Sequence, residues 1–104
     1  MSQTELCGAI KALRLVRFYY SLDDEPGFRT VEPHMVARTK TEALALSAWY
    51  ISGATTPGQG PGWRIYLLSG ISQVTVLHDA FDGPREGYKP DGGKSFHEVK
   101  CGLR

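Results

Sequence analysis

Hydrophobic residues follow a helical period only at the start of the chain. From Leu6 onwards they recur at positions i, i+4 and i+7, the spacing of one helix face. Ser2 and Glu5 precede this stripe three residues apart, as in a capping box where the Ser begins the helix and the Glu bonds back to it. The pattern predicts a helix over about residues 3–13 that packs on the core.

Beyond residue 13 the helical period gives way to short stretches of β-branched, aromatic and aliphatic residues, which suit a pleated sheet. Turn sequences separate the stretches, such as Asp-Asp-Glu-Pro-Gly at 23–27, because Pro presets φ and Gly accepts positive φ. Residues 96–99 are a candidate for one further short strand. The main predicted strands are residues 14–20, 28–40, 45–52, 63–68 and 71–78.

Three local features refine this pattern. Pro33 has no N–H to donate to a neighbouring strand, so it predicts an edge position or a bulge. Residues 41–46 have a helix-forming composition, but the run Ala-Trp-Tyr-Ile at 48–51 decides for a strand. Residues 53–62 are rich in Gly and Pro and predict a flexible surface loop.

A helix followed by about five short strands predicts a mainly β fold, namely a small antiparallel β-barrel or sandwich. The 104 residues suit a single domain, 1–104, which can bury one core without needing disulfides or metals to stabilise it. Within it we expect a helix at about 3–13, a β core at about 14–80 and a C-terminal extension at about 81–104.

Composition narrows the class of protein. With 41% hydrophobic and 22% charged residues the chain is ordinary for a globular protein and unlike a disordered one. A net charge of +1 means that nucleic-acid binding would need a local basic face. No signal-peptide pattern or bilayer-spanning apolar run is visible, so we expect a cytoplasmic protein that does not contact membranes.

The sequence has no recognisable catalytic or metal motif, and we expect neither an enzyme nor a cofactor. The histidines His34, His78 and His97 are far apart and lack ligand partners at metal-site spacing. Cys7 and Cys101 lie at opposite ends of the chain and do not make a disulfide framework. We therefore expect free cysteines, as in a reducing cytosol, with Cys7 packed in the helix.

Four short motifs follow the helix in a fixed order. They read Val-Arg-Phe-Tyr-Tyr at 16–20, Arg-Thr-Val-Glu-Pro at 29–33, Trp-Tyr-Ile at 49–51 and Arg-Ile-Tyr-Leu-Leu-Ser-Gly-Ile at 64–71. Each motif alone is weak, but their order and spacing resemble the WYL domain family over about residues 5–80. The resemblance implies an Sm-like β-barrel that binds a nucleic-acid strand, a nucleotide or another small effector in bacterial transcription regulation or defence.

The chain departs from the family in the last motif. There the family has two arginines and an acid, whereas this chain has Leu67, Gly70 and Ser69, and only Arg64 remains. Losing two cations removes two phosphate contacts. Family members normally carry a separate helix-turn-helix domain, for which the 104 residues leave no room, so the resemblance implies a stand-alone or subunit version.

Basic and aromatic residues in the strands are the candidate binding groups, because Arg grips phosphate with two bonds and Tyr stacks on bases. Alternation predicts that Arg17 and Tyr19 are exposed while Tyr20 has a buried ring and a hydrogen-bonded hydroxyl. The wider basic and aromatic set is Arg14, Arg17, Tyr20, Arg29, Arg38, Lys40 and Arg64. The candidate ligand-binding residues are Arg17, Tyr20, Arg29, His34, Tyr50 and Arg64.

Two other segments have plainer interpretations. Trp49 and Ile51 alternate with Tyr50, and we expect Trp49 and Ile51 to pack in the core. Residues 89–94, Lys-Pro-Asp-Gly-Gly-Lys, lack the spacing of a phosphate-binding loop and predict a mobile turn.

Two functions remain open on the sequence alone. The first is a regulatory binding module that holds single-stranded nucleic acid or a nucleotide on a face where Arg17, Arg29 and Arg64 converge with Tyr20 or Tyr50. The second is a protein–protein or self-assembly module whose strand edges pair with copies of itself, as a homo-oligomer, or with a larger regulatory protein.

Overall fold

A computed structural model describes residues 2–55 and 59–103. It contains one helix, six strands and a single 3₁₀ turn, Leu68–Gly70. The helix α1 is Ser2–Ala12, and the strands β1 to β6 are Arg14–Tyr20, Gly27–Thr39, Leu44–Gly53, Gly62–Leu67, Ile71–Ala80 and Phe96–Gly102. The predicted helix and five main strands are thus confirmed to within a few residues, whereas residues 56–58 of the predicted loop lie outside the described part.

The strands form one antiparallel sheet in the order β4-β3-β2-β1-β5, and β6 pairs with β2. The predicted mainly β, antiparallel fold with an N-terminal helix is confirmed. The candidate strand at 96–99 does form, so the sheet has six strands instead of five. This strand extends to Gly102. No pairing joins β4 to β5 in the described residues, so the sheet is not closed into a barrel.

Strand β2 is long enough to pair with three neighbouring strands. Residues 27–31 pair with β1, residues 35–39 pair with β6, and β3 runs along the opposite edge. The β2–β3 register shifts between Pro33 and Met35, which confirms the predicted bulge at the proline. The carbonyl of His34 in this bulge accepts a hydrogen bond from the N–H of Leu103 at 2.9 Å.

The main core lies between α1 and the inner face of the sheet. Leu6 and Ile10 of the helix are fully buried there, together with Val16 and Phe18 of β1. Burying an aliphatic side chain contributes about 1.5–3 kcal/mol, so Leu6 and Ile10 stabilise the packing of the helix on the sheet. The helix ends at Ala12, and the next residue, Leu13, has a φ of 58° that turns the chain into β1.

Alternation in β1 follows the prediction except at Tyr19, which was expected to be exposed and packs against the Phe28 ring. Val16, Phe18 and Tyr20 are buried, Arg17 is exposed and Tyr19 is half-buried. The Tyr20 hydroxyl accepts a hydrogen bond from the N–H of Leu67 at 3.0 Å, as expected for a buried tyrosine.

In β3 the predicted core faces are reversed. Tyr50 is buried on the face that carries Leu46 and Ala48, whereas Trp49 and Ile51 are only half-buried on the opposite face. The expectation that Trp49 and Ile51 pack in the core is therefore wrong. Both faces of this strand are apolar or aromatic, so alternation separates the faces without saying which one turns inward.

The cysteines also correct the sequence-based expectation. Cys7 of α1 and Cys101 of β6 form a disulfide across 94 positions of sequence. The packing of the last strand against the helix brings the two ends of the chain together, which spacing along the chain does not reveal. In the described residues, no helix has the length and apolarity needed to cross a membrane.

Candidate ligand-binding cleft

A cleft of about 800 Å³ opens on the outer face of the sheet. Its floor is a row of cross-strand neighbours, Met35 of β2, Ser47 of β3 and Ile65 of β4. Residues 87–96 of the C-terminal extension line the other side. The volume lies in the range of small-molecule sites, and the lining is mainly apolar.

Aromatic rings form the sides of the cleft. Trp63 and Tyr88 stack with their ring planes 19° apart and their centroids at 6.3 Å. The Trp63 indole N–H donates to the carbonyl of Glu86 at 2.9 Å. Phe96, at the start of β6, lines the cleft as well. Such a set of rings presents flat apolar surfaces to a bound molecule.

The Tyr88 ring is held in place through its hydroxyl group. This hydroxyl donates to the carbonyl of Leu103 at 2.8 Å and approaches the carbonyl of His34 at 3.3 Å. Burial raises the pKa of Tyr88 above its ordinary value, so the hydroxyl keeps its proton and stays a donor. The C-terminal end of the described chain therefore fixes one side of the cleft.

An ion pair fastens the extension beside the cleft. Arg85 makes two hydrogen bonds of 2.8 Å to the carboxylate of Glu32, which is buried in β2. The Arg85 guanidinium also lies 5.0 Å from the centroid of the Trp49 ring. Two parallel bonds between a guanidinium and a carboxylate define geometry better than a single contact does.

His34 completes this fastening as a neutral imidazole. Its Nε2 accepts the backbone N–H of Arg85 at 3.1 Å, so the proton must sit on Nδ1, which donates to the carbonyl of Glu32 at 2.8 Å. Burial lowers the pKa of His34, and the nearby Arg85 charge acts in the same direction. The bond to the Glu32 carbonyl and the Glu32 charge oppose this shift.

This arrangement predicts that the protein loses stability in mild acid. Because the pKa of His34 is lower in the folded than in the unfolded chain, the unfolded chain binds the extra proton first as the pH falls below about 6.5. We expect the free energy of unfolding in urea to fall by about 1 kcal/mol between pH 7.5 and pH 5.5.

The matched variants for this prediction are His34→Gln and His78→Gln. His34→Gln should remove most of the pH dependence, and His78→Gln, at an exposed position of β5, should leave it unchanged. An equal slope in the wild type and in His34→Gln would assign the pH dependence to other groups.

Charged residues stand around the mouth of the cleft. Lys89 and Lys94 line it and are exposed, and they flank a turn in which the Asp91 carboxylate accepts the N–H of Gly93 at 2.9 Å. Asp91 is thus partly occupied within its own turn. The two lysines give the mouth an excess of positive charge and favour an anionic ligand.

The structure does not bring the predicted arginines to one open surface. Arg29 is 1% exposed and points into the fold, so the expected convergence of Arg17, Arg29 and Arg64 does not occur. Arg17 is exposed over the Phe28 ring on the outer face of the sheet, with its guanidinium carbon 4.0 Å from the ring centroid.

The other predicted site residues have mainly internal contacts. Arg64 borders the cleft, but its guanidinium donates to the carbonyls of Trp63 and Gly60 at 2.9 and 2.7 Å. The Tyr50 hydroxyl donates to the carbonyl of Gly53, and Tyr20 and His34 are buried. Of the six predicted residues, Arg17 and Arg64 are the ones not buried.

Apart from Arg64, sequence reasoning missed the residues that line the cleft, among them Trp63, Tyr88, Lys89, Lys94 and Phe96. One signal was present in the sequence, because Lys89 and Lys94 flank a turn beside two aromatic residues. Nothing local indicates that this turn folds back over β3 and β4.

Comparison of the chain with protein-family models, with curated proteins and with solved structures finds no match. The fold and the cleft together define a small antiparallel β protein with a concave, aromatic-lined site on the outer face of its sheet. The geometry of this site is therefore the basis for assigning a function.

Proposed function

We propose that the protein is a binding module for a small anionic molecule with a flat ring, of which a mononucleotide is the best-fitting class. The observation that carries this proposal is the cleft, where the Trp63 and Tyr88 rings stand beside an apolar floor and two lysines stand at the mouth. A base or similar ring would lie against the aromatic side, and its phosphate would meet Lys89 and Lys94.

A mononucleotide suits the site better than a nucleic-acid strand does. Strand binding needs a row of cations that follows successive phosphates. Arg29 is buried, and the guanidinium of Arg64 is bonded to backbone carbonyls. Two lysines at one mouth match one phosphate group instead.

The resemblance to WYL domains supports the wider setting that we propose. It favours a cytoplasmic regulatory module in bacterial transcription or defence, acting with a larger regulatory protein. In that setting, the bound nucleotide is the effector, and the protein senses it without chemical change, so we propose no catalytic role.

The lysines provide the first test. We expect AMP to bind in isothermal titration calorimetry and Lys89→Ala/Lys94→Ala to weaken its affinity at least about tenfold, since each charge-assisted contact contributes about 1 kcal/mol or more. The matched control is Lys11→Ala/Lys40→Ala, which removes the same charge from exposed positions outside the cleft. Adenosine, which lacks the phosphate, should bind about as weakly as AMP binds to the Lys89→Ala/Lys94→Ala variant.

Two further arms decide between the ligand classes. Ile65→Asp places a carboxylate on the half-exposed floor and should abolish AMP binding, whereas Leu22→Asp, at a similarly exposed position outside the cleft, should not. Fluorescein-labelled single-stranded DNA and RNA should bind weakly and without dependence on Lys89 and Lys94. Tight, lysine-dependent strand binding, or equal loss of AMP binding in both double-lysine variants, would reject the mononucleotide proposal.

We also propose self-association through β5 as a second candidate function. Within the described residues β5 pairs only with β1, and the stretch from Ser72 to Leu77 carries no charge and no proline that would protect the free edge. By contrast β6, another strand with one neighbour, carries Glu98 and Lys100. In an antiparallel pair of β5 strands centred on Val76, this half-exposed side chain would meet its copy.

Light scattering coupled to size exclusion tests this second candidate. We expect a dimer that Val76→Lys converts to a monomer, because two ammonium groups would then face each other across the two-fold axis. Val99→Lys is the matched control, since Val99 of β6 is 39% exposed and Val76 is 45% exposed. A wild type that is monomeric up to about millimolar concentration, or a dimer that survives Val76→Lys, would contradict the pairing.

A further inference from the structure

The Cys7–Cys101 disulfide is followed directly in the chain by residues that contact the cleft lining. Cys101 pairs with Val36 in the β2–β6 ladder, and the next residue, Gly102, pairs with Met35 of the cleft floor. Leu103 then donates its N–H to His34 and accepts the Tyr88 hydroxyl with its carbonyl. The disulfide therefore anchors the segment that holds both the floor and the aromatic side.

Close packing strengthens this connection. A Cβ atom placed on Gly102 would lie 2.8 Å from the Tyr88 hydroxyl oxygen, so the tyrosine sits directly against the backbone of β6. A displacement of this backbone removes the shorter of the two hydrogen bonds of the Tyr88 hydroxyl, the one to Leu103, and opens space beside this hydroxyl. The position of the Tyr88 ring thus depends on the position of residues 101–103.

Beyond the ladder with β2, the side chains in the middle of β6 contribute few buried contacts. Residues 97–100 are exposed, and the ladder with β2 contains two register shifts. The ion pairs of β6 that join it to the rest of the fold, Arg38–Glu98 and His97–Glu42, involve exposed groups, which contribute little to stability. Phe96 is buried at one end of the strand, and the half-buried disulfide ties the other end to α1.

We propose that the disulfide is a redox latch that sets the ligand affinity of the cleft. With the disulfide formed, Tyr88 is held against Trp63 and the cleft is ready for its ligand. A dithiol reductant transfers two electrons and two protons to the S–S bond, gives the thiols of Cys7 and Cys101, and is itself oxidised to a disulfide. The end of β6 then detaches from α1, the hydroxyl of Tyr88 loses the Leu103 carbonyl and keeps only the longer contact to His34, and affinity falls.

The latch gives the disulfide a regulatory role. In a reducing cytosol, disulfides that occur are usually transient and redox-sensing, so ligand binding would report oxidation. The proposal concerns the same cleft and rests on the proposed binding of a mononucleotide. Its structural half, the loosening of Tyr88, can be measured without any ligand.

The experiment compares oxidised protein with protein reduced by dithiothreitol. We expect the reduced wild type, and Cys7→Ser/Cys101→Ser with or without dithiothreitol, to keep the circular dichroism of a folded chain and to bind AMP at least about tenfold more weakly. Hydrogen exchange without ligand should rise more in residues 85–103 than in β1 and β3, where the increase reflects only the lower global stability. Tyr88→Phe with the disulfide intact should already bind weakly, and reduction should lower its affinity by a smaller factor.

Each other outcome rejects the latch. Equal AMP affinity in both redox states leaves the binding function standing but overturns the regulation. If the chain unfolds on reduction, or if exchange rises evenly over the whole sheet, the disulfide stabilises the whole fold and has no particular effect on the cleft. If oxidised protein does not bind AMP, the proposed function and the control of affinity fail together, and unchanged exchange in residues 85–103 would then reject the loosening of Tyr88 as well.

Discussion

Arg29→Lys is expected to destabilise the protein by about 3 kcal/mol although it keeps the positive charge. The buried guanidinium donates to the carbonyls of Glu25 and Gly27 at 2.8 and 3.2 Å and to the Asp23 carboxylate at 3.0 Å. A Lys ammonium cannot reproduce this planar set of donors, so part-buried carbonyls of the turn lose their partners. Urea unfolding measures the effect, with an unchanged slope showing that the folded state stays compact.

The partner residues give the control for this prediction. Asp23 is about one-third exposed, so Asp23→Asn removes a solvent-screened charge and should cost about 1 kcal/mol or less. Arg17→Lys replaces an exposed arginine of the neighbouring strand and should be nearly neutral. If Arg29→Lys were as mild as Arg17→Lys, the guanidinium would not organise the turn between β1 and β2.

Cys7→Ser/Cys101→Ser is expected to lower the free energy of unfolding by about 4 kcal/mol at 25 °C. The disulfide closes almost the whole chain into one loop, with 94 positions between its ends, and a long loop loses the most entropy when the unfolded chain is cross-linked. Domains are stable by only about 5–15 kcal/mol, so the variant should remain folded with a small margin. Urea unfolding of the oxidised wild type provides the reference.

Reduced wild-type protein is the matched control, because it has the same covalent chain apart from the two thiols. It should unfold at nearly the same urea concentration as the double serine variant. A difference below about 1 kcal/mol between oxidised and reduced protein would mean that the unfolded state is already compact enough to need no cross-link.

Local pattern was sufficient for the elements of the fold. The helix and the five main strands follow from periodicity, and the bulge follows from the missing N–H of Pro33, because each depends on residues adjacent in sequence. The alternation of β1 also determined which of its faces is buried, since only one face carries the run Val16, Phe18 and Tyr20 without a charge between them.

The pattern of hydrophobic residues could not predict which polar residues are buried. Arg29 has the composition of a binding residue, and only the three-dimensional turn between β1 and β2 supplies the carbonyls that satisfy it inside the fold. In β3 both faces are apolar, and the choice of Tyr50 over Trp49 for the core depends on which face α1 covers.

By itself, therefore, the sequence determined the helix, the main strands and the mainly β antiparallel class, and it limited Pro33 to an edge position or a bulge. Tertiary structure decided the disulfide, the burial of Arg29 and the cleft beneath residues 87–96. The physical reason is range, because periodicity reports the two faces of one element and is silent about contacts between distant segments. The contacts of Cys7 with Cys101 and of Tyr88 with Trp63 join segments far apart in sequence, and the pairing of the last strand with β2 places Cys101 beside the helix.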